Sequence, residues 1–412
     1  MTESLTSVAE IGIFAYPWDI LDRGPEKFIE ECHALGVTKV HATTLYHSGK
    51  FLLPRNSQTK VYVPEPGHLF VPLAATKFPG RLQPQTSAIA SSGWLDRLVC
   101  AASSAGIELT AWTVFHHSSA LATKYPELAI HNVFGDIYPF ALCPTHLEVR
   151  AYSLSLASAI QSLGVFGTLD LETIGYLGYF HGHHHEVAAV PLGTLETFLL
   201  SLCFCSACCA AAEQAGIAIG ELRRELQRIL SVKLNADDST GAHPENGEQL
   251  LTLIASSQPL QQLIRLRLQI VTGLIEGIRS ATRGMKLGVL TSSFVGSPSN
   301  IWMEGVSLTD IRGDADTVHL LAYSPDSDAV NSDLAFCLAQ GIDAGRLNLT
   351  LNLGLPITPT VSHAMTKIDY AWRQGVRQFA FFNYGFLGKA RLNWIQQISA
   401  ELRRKESAGD GS

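Results

Sequence analysis

The feature that most limits what this chain can fold into is a regular alternation. Short apolar runs rich in β-branched residues recur eight times, with helical periodicity between each run and the next, which is the pattern of βα units. The predicted strands are Ile11–Ala15, Lys39–Thr44, Ile107–Phe115, Val165–Leu171, Lys286–Thr291, Thr317–Ala322, Leu347–Leu353 and Gln378–Phe382. Helical segments open on proline at Pro25 and Pro259, where a first turn has no use for the N–H, and several stop at glycine, as at Gly36, Gly106 and Gly164. Eight such units predict an α/β fold, a closed (β/α)8 TIM barrel whose interior is filled by side chains and whose chemistry sits on the loops after the strands. An open doubly wound sheet is the alternative. The first strand speaks against it, because Tyr16-Pro17-Trp18-Asp19 stands where a glycine-rich phosphate loop would be.

One barrel accounts for most of the 412 residues, as a single domain over 1–405 with a flexible polar tail at 406–412. The surplus length falls in a long loop after the second strand, 46–92, and in a larger insertion after the fourth, 172–284. Loops of that size in a compact domain usually carry function. Charged residues are only 16% of the chain and apolar ones 46%, so much of it is packed away from water. The net charge of -7 and the lack of any basic run exclude nucleic acid as a partner. No apolar stretch is long enough to cross a bilayer and the first residues do not read as a secretory signal, so no membrane partner is expected and the chain reads as cytoplasmic. Composition leaves a monomer and a homo-oligomer both open.

Of the 8 cysteines, Cys203, Cys205, Cys208 and Cys209 crowd into one short segment. In a cytosolic chain such a cluster holds metal more often than disulfides. Three thiolates spaced C-x-C-x-x-C can turn toward one centre, and zinc needs one more ligand, from Cys143, Cys209 or the histidines of His181-Gly182-His183-His184-His185. A site made only of sulfur leaves no open position, so its role would be structural. The competing reading is a run of small apolar side chains on one helix.

The fourth strand ends in Leu169-Asp170-Leu171-Glu172-Thr173. Alternation puts Asp170 and Glu172 on one side, and two carboxylates projecting into a barrel are costly unless they work or share a hydrogen-bond network. Glu172, nearer the loop, is the better proton donor or base. Other strand ends offer Tyr16, Trp18 and Asp19; His41, Thr43 and Tyr46; Trp112, His116 and His117; Ser292 and Ser293; His319, Tyr323 and Asp326; Asn352; and Asn383 with Tyr384. His181 joins them from the insertion. Aromatic rings among carboxylates and amides suit a polar ring with apolar faces, as in a sugar, although any one of them can equally be core packing.

These residues also carry a family resemblance. Cys143-Pro144 with Glu148-Val149-Arg150-Ala151-Tyr152, a long helix, a strand ending in Glu172, a histidine-bearing loop and Cys203-Phe204-Cys205-Ser206-Ala207-Cys208 resemble the catalytic barrel of family 42 β-galactosidases and related glycosidase-like barrel proteins. The resemblance implies a zinc site of Cys143, Cys203, Cys205 and Cys208, and Glu172 as general acid/base; it leaves Cys32, Cys100, Cys209 and Cys337 as buried thiols. Its motifs cover roughly residues 140 to 210. Two positions depart from the family pattern: Leu171 stands where an asparagine precedes the acid/base glutamate, and Leu347–Pro356 holds no carboxylate where the nucleophile would be.

The expectation is therefore a zinc-stapled (β/α)8 glycoside hydrolase cleaving a small carbohydrate, with Glu172 as acid/base, Asp170 in support, and Tyr16, Trp18, Asp19, His41, Trp112, His116, His181, Tyr323, Asn352 and Asn383 contacting substrate. With no strand-seven carboxylate, the second group of a hydrolase could come from Asp170, Asp19 or Asp326, a wider pair indicating inversion, and two alternatives stay open: a lyase or isomerase of a sugar derivative, with Glu172 or a histidine as base and Tyr323 as proton donor, and a degenerate barrel that binds carbohydrate without turnover.

Overall fold

A strand covered on both faces is largely apolar, and the eight predicted runs follow this apart from polar positions such as His41, Asp170, His319 and Asn348, which the fold also buries. In the computed structural model of the chain they form one closed ring of parallel strands. The structure describes residues 9–179, 181, 187, 189–235, 247–291 and 296–409. The barrel strands are β1 (Glu10–Ala15), β2 (Lys39–Tyr46), β3 (Glu108–Val114), β4 (Thr168–Glu172), β5 (Lys286–Leu290), β6 (Thr317–Ala322), β7 (Leu347–Asn352) and β8 (Gln378–Phe382). Each pairs in parallel with its neighbours in sequence, and β1 pairs with both β2 and β8, which closes the ring. Several strand ends differ from the sequence expectation, most by one residue and the start of β4 by three, and two of the differences have identifiable reasons. β2 continues to Tyr46 because the short strand His68–Leu69 pairs antiparallel with its tip, and β4 takes in Glu172 because that residue's backbone pairs with Val114.

The long loop after β2 lies against the barrel mouth. Its hairpin of Phe51–Leu52 and Val61–Tyr62 brings Phe51 and Tyr62 against Trp18, with ring centroids 5.9 and 4.7 Å away. The insertion after β4 builds helices Thr194–Ser201, Ser206–Gln214, Ile219–Leu234 and Gly247–Ser256, which bury Phe198, Leu222, Leu226 and Leu250 in a core of their own together with Val133 and Met303. The following helix, Gln258–Ala281, serves both cores. Leu260 and Leu263 face the insertion, while Val271, Leu274, Ile275 and Ile278 pack on the barrel.

Two sequence expectations are corrected here. The last helix runs from Lys389 to Gly409, through the start of the expected tail. Cys100 is exposed and Cys209 half-buried, whereas Cys32 and Cys337 are buried as expected. Cys100 lies off the stripe of Trp94, Leu95, Leu98 and Ala102 that its helix turns inward. Among the described residues no single helix is long and apolar enough to cross a membrane; a sharply bent pair, Thr194–Ser201 with Ser206–Gln214, passes that test only when taken together.

Candidate active site

In a parallel barrel alternate residues of every strand point inward, so β4 sends Asp170 and Glu172 to the axis at successive levels. Contacts across the ring confirm this orientation. At the lower level Asp170, fully buried, accepts from His41 Nδ1 of β2 at 2.6 Å and from His319 Nε2 of β6 at 3.1 Å. Two glycines make room for the imidazoles. A Cβ on Gly12 of β1 would lie 2.7 Å from His41 Nε2, and one on Gly288 of β5 would lie 2.1 Å from Asp170 Oδ1 and 2.9 Å from His319 Nε2. Burial opposes the charge on Asp170, but His319 and His41 outweigh it and hold the carboxyl well below its ordinary range. Burial likewise lowers His41, against the pull of Asp170. His41, Asp170 and His319 are a possible set of metal donors by type and proximity. At 2.6 Å, however, His41 and Asp170 stand closer than the roughly 3 Å or more between two donors on one zinc ion, and the spacing is that of a charge-assisted hydrogen bond.

One level up, Glu172 lines a cavity of about 250 Å³ at the mouth of the barrel. Phe14, Trp112 and Phe382 supply aromatic walls, and Tyr46 and Tyr323 bring hydroxyls. Trp112 Nε1–H donates to Glu172 Oε2. Burial raises the Glu172 pKa from 4.5 to about 7, the Trp112 bond opposes the shift, and the negative Asp170 beneath adds to it. The carboxyl therefore keeps its proton to higher pH than an ordinary glutamate, which is the condition a general acid needs. Thr173, directly after Glu172, has φ 54°, unusual for a β-branched residue and the kind of backbone strain that clusters at functional sites.

The structure brings Trp112, Glu172 and Tyr323 to one cavity and places the other expected site residues around or below it. Tyr16 stacks on Trp18 with ring centroids 4.3 Å apart and stands 5.2 Å from Trp112, behind the wall. Asp19 faces a separate polar cavity beside Arg55 and Tyr384, and burial raises its pKa to about 7 despite Arg55. His116 bonds Gly175 O at 3.2 Å and Ser153 Oγ at 3.0 Å. His181 packs against His117, ring centroids 4.0 Å apart, and His117 stacks on His47 at 4.1 Å, so only His47 of the three reaches the cavity. Asn352 and Asn383 accept from the backbone N–H of Gly354 at 2.8 Å and Gly385 at 2.9 Å, which shapes the turns after β7 and β8. Ser292, Ser293 and His183 to His185 lie outside the described residues. Several cavity residues escaped the sequence reading as site candidates, among them Phe14, His47, Phe382 and the acidic Glu304, on the turn Pro298–Glu304 after β5. No strand-end pattern points to Glu304.

The four cysteines converge away from this cavity. Cys143 follows the strand Ile137–Leu142, and Cys203, Cys205 and Cys208 lead into the helix Ser206–Gln214. All four are buried and free of disulfides, with their sulfurs within 4.8 Å of one another. Cys143 Sγ lies 3.5 Å from Cys208 Sγ and 3.7 Å from Cys205 Sγ. Four sulfurs around zinc at the usual 2.3 Å bond length stand about 3.8 Å apart, so the donor set and spacing fit a tetrahedral ion. The His131 N–H donates to Cys203 Sγ at 3.4 Å, the sort of outer bond that steadies a thiolate ligand. Cys209 turns away to Phe204 O.

No family model and no curated protein matches the chain. Solved structures do resemble it. The catalytic domain of a beta-amylase from Paenibacillus polymyxa superposes with a TM-score of 0.59 at 13% identity, covering 96% of this chain and 100% of that one. A beta-galactosidase from the psychrophilic Marinomonas ef1 gives 0.56 at 13% identity over 97% of this chain and 60% of its own. An alpha-L-fucosidase from Paenibacillus thiaminolyticus gives 0.56 at 10%, over 97% and 50%. These neighbours are glycoside hydrolases on barrels, and at such identities the likeness is one of fold.

Proposed function

We propose that the protein is a glycoside hydrolase acting on a small glycoside, with Glu172 as the proton donor to the departing glycosidic oxygen. The observation that carries this reading is a carboxyl with a pKa near 7, at the end of strand four, inside an aromatic-walled cavity. Trp112 fixes one oxygen of Glu172, so the other is free to face the scissile bond. Asp170, anchored by His41 and His319, supplies a negative charge from below that favours the protonated acid. Tyr323 and the ring of Trp112 are placed to pack on and bond a sugar. A cavity of about 250 Å³ falls below the usual 300–1,000 Å³ of ligand sites, which favours one sugar unit over a polymer.

A zinc ion on Cys143, Cys203, Cys205 and Cys208 would act as a structural cross-link. These residues join the strand Ile137–Leu142 to the helix Ser206–Gln214, and a reducing compartment such as the cytoplasm would keep the thiols available. Asn352 at the strand-seven end favours a second reading, a lyase or isomerase in which Glu172 abstracts a proton and Tyr323 returns one.

A panel of p-nitrophenyl glycosides and natural disaccharides, assayed with wild type and Glu172→Gln, tests the proposal. Loss of turnover of the unactivated disaccharide by a factor of about 10² to 10⁴ in Glu172→Gln is expected. Equal rates would remove Glu172 from the chemistry, and silence of the wild type across the panel would overturn the hydrolase reading.

A further inference from the structure

The missing strand-seven carboxylate leaves the hydrolase one group short, because both stereochemical courses of glycoside hydrolysis use a pair. The cavity supplies another from elsewhere. Glu304 lines the same space as Glu172, and its backbone is fastened to the loop that follows Glu172. The Tyr176 N–H donates to Glu304 O at 2.8 Å. Gly175 permits that approach, since a Cβ there would lie 2.2 Å from Glu304 O. From the other side Arg267 Nη2 donates to Met303 O at 2.8 Å while its guanidinium sits 4.3 Å from the centre of the Tyr176 ring. Gly305, at φ 82°, ends the turn. Loop and turn thus hold the two glutamates as one unit, although they are far apart in sequence.

We propose that Glu304 is the second catalytic residue, the base that takes a proton from the attacking water; the proposal rests on the glycosidase reading of Glu172. In the step, the water oxygen bonds to the anomeric carbon as the bond to the departing oxygen breaks. The Glu172 proton passes to that oxygen and a water proton passes to Glu304. One observation favours a base over a nucleophile. On the cavity wall that Glu172 and Glu304 share, Thr173 Oγ1 is buried without a hydrogen-bond partner among the described residues and offers an attacking water an anchor, which a water-activating pair needs and a covalent one does not.

The test uses the p-nitrophenyl glycoside that the wild type turns over best. Glu304→Ala is expected to lower kcat by at least 10²-fold, sodium azide to restore turnover as a glycosyl azide of inverted configuration, and proton NMR of the wild-type reaction to show the inverted anomer first. The near-isosteric Glu304→Gln, with unchanged melting temperature and the same loss, separates chemistry from folding. Glu304→Ala within tenfold of wild type, loss without azide rescue, or a retained anomer would each overturn the assignment. Glu172→Gln run alongside on the unactivated disaccharide separates the two failures: a slow Glu172→Gln there beside a fast Glu304→Ala sinks Glu304 alone, whereas a Glu172→Gln as fast as wild type there, or a silent wild type, sinks the underlying reading and this one with it.

Discussion

Glu172→Gln makes a prediction about stability that needs no substrate. The folded carboxyl has its pKa raised from 4.5 to about 7, so folding favours its protonated form, and the cost of ionising it grows as pH rises through that window. At about 1.4 kcal/mol per unit, the full cost above pH 7 is about 3 kcal/mol, of which about 1 is already present at pH 5.5. Gln keeps an acceptor for Trp112 Nε1–H and has nothing to ionise. Urea denaturation of both proteins at pH 5.5 and 8.5 therefore isolates the carboxyl, since all other titrations largely cancel in the difference. The wild type should lose about 2 kcal/mol relative to Glu172→Gln between the two values, leaving the variant the more stable protein at alkaline pH. A constant difference across the range would mean that Glu172 titrates near 4.5 in the fold, and that burial does not prepare it as an acid.

The remaining predictions concern its surroundings. Asp170→Asn removes the charge beneath Glu172, so the descending alkaline limb of kcat/KM should move to lower pH by on the order of one unit, and a limb that stays or rises would refute the coupling. The same variant leaves His41 and His319 badly paired, which should cost about 3–5 kcal/mol in urea titrations. Purified protein should carry about one zinc per chain by mass spectrometry, and Cys205→Ser should lower both that content and the melting temperature by roughly 5 °C or more; full zinc content in the variant would remove the site. Gly288→Ala forces a methyl into Asp170 and His319 and should destabilise by about 1–3 kcal/mol, whereas a neutral result would mean the polar layer is looser than described.

The barrel was legible because each strand is a short apolar run bounded by helix starts and stops, signals that lie within a few residues of one another. Asp170 and Glu172 were legible for the same local reason, as alternation alone puts both inside. What the sequence could not show was which side chains meet across the ring. His41 and His319 come together on Asp170 through the register of five strands, and the one hint, a glycine within β1 and another within β5, means nothing until their neighbours are known. Asn352 and Asn383 sit where polar strand ends were expected, yet each spends its carbonyl oxygen on the turn that follows. Spacing marked the three clustered cysteines and left the fourth ligand open, the family resemblance pointed to Cys143, and the folded chain brings Cys143 to them and turns Cys209 away. Glu304 was invisible because it comes from a turn well past the end of its strand, and its place depends on contacts with Tyr176 and Arg267 that no local pattern encodes.

The glycine gaps at Gly12 and Gly288 also bear on how this interior can change over time. Enlarging either glycine drives a methyl into the triad, and an apolar side chain at 170 takes from two imidazoles the carboxylate that pairs with both of them. A shift to the branched hydrocarbon filling of an ordinary barrel would need coordinated changes on at least five strands, with each intermediate less stable than either end. The polar layer is in that sense a mutational dead end from which single steps do not lead, and lineages of this fold should keep all five positions together or lose them together.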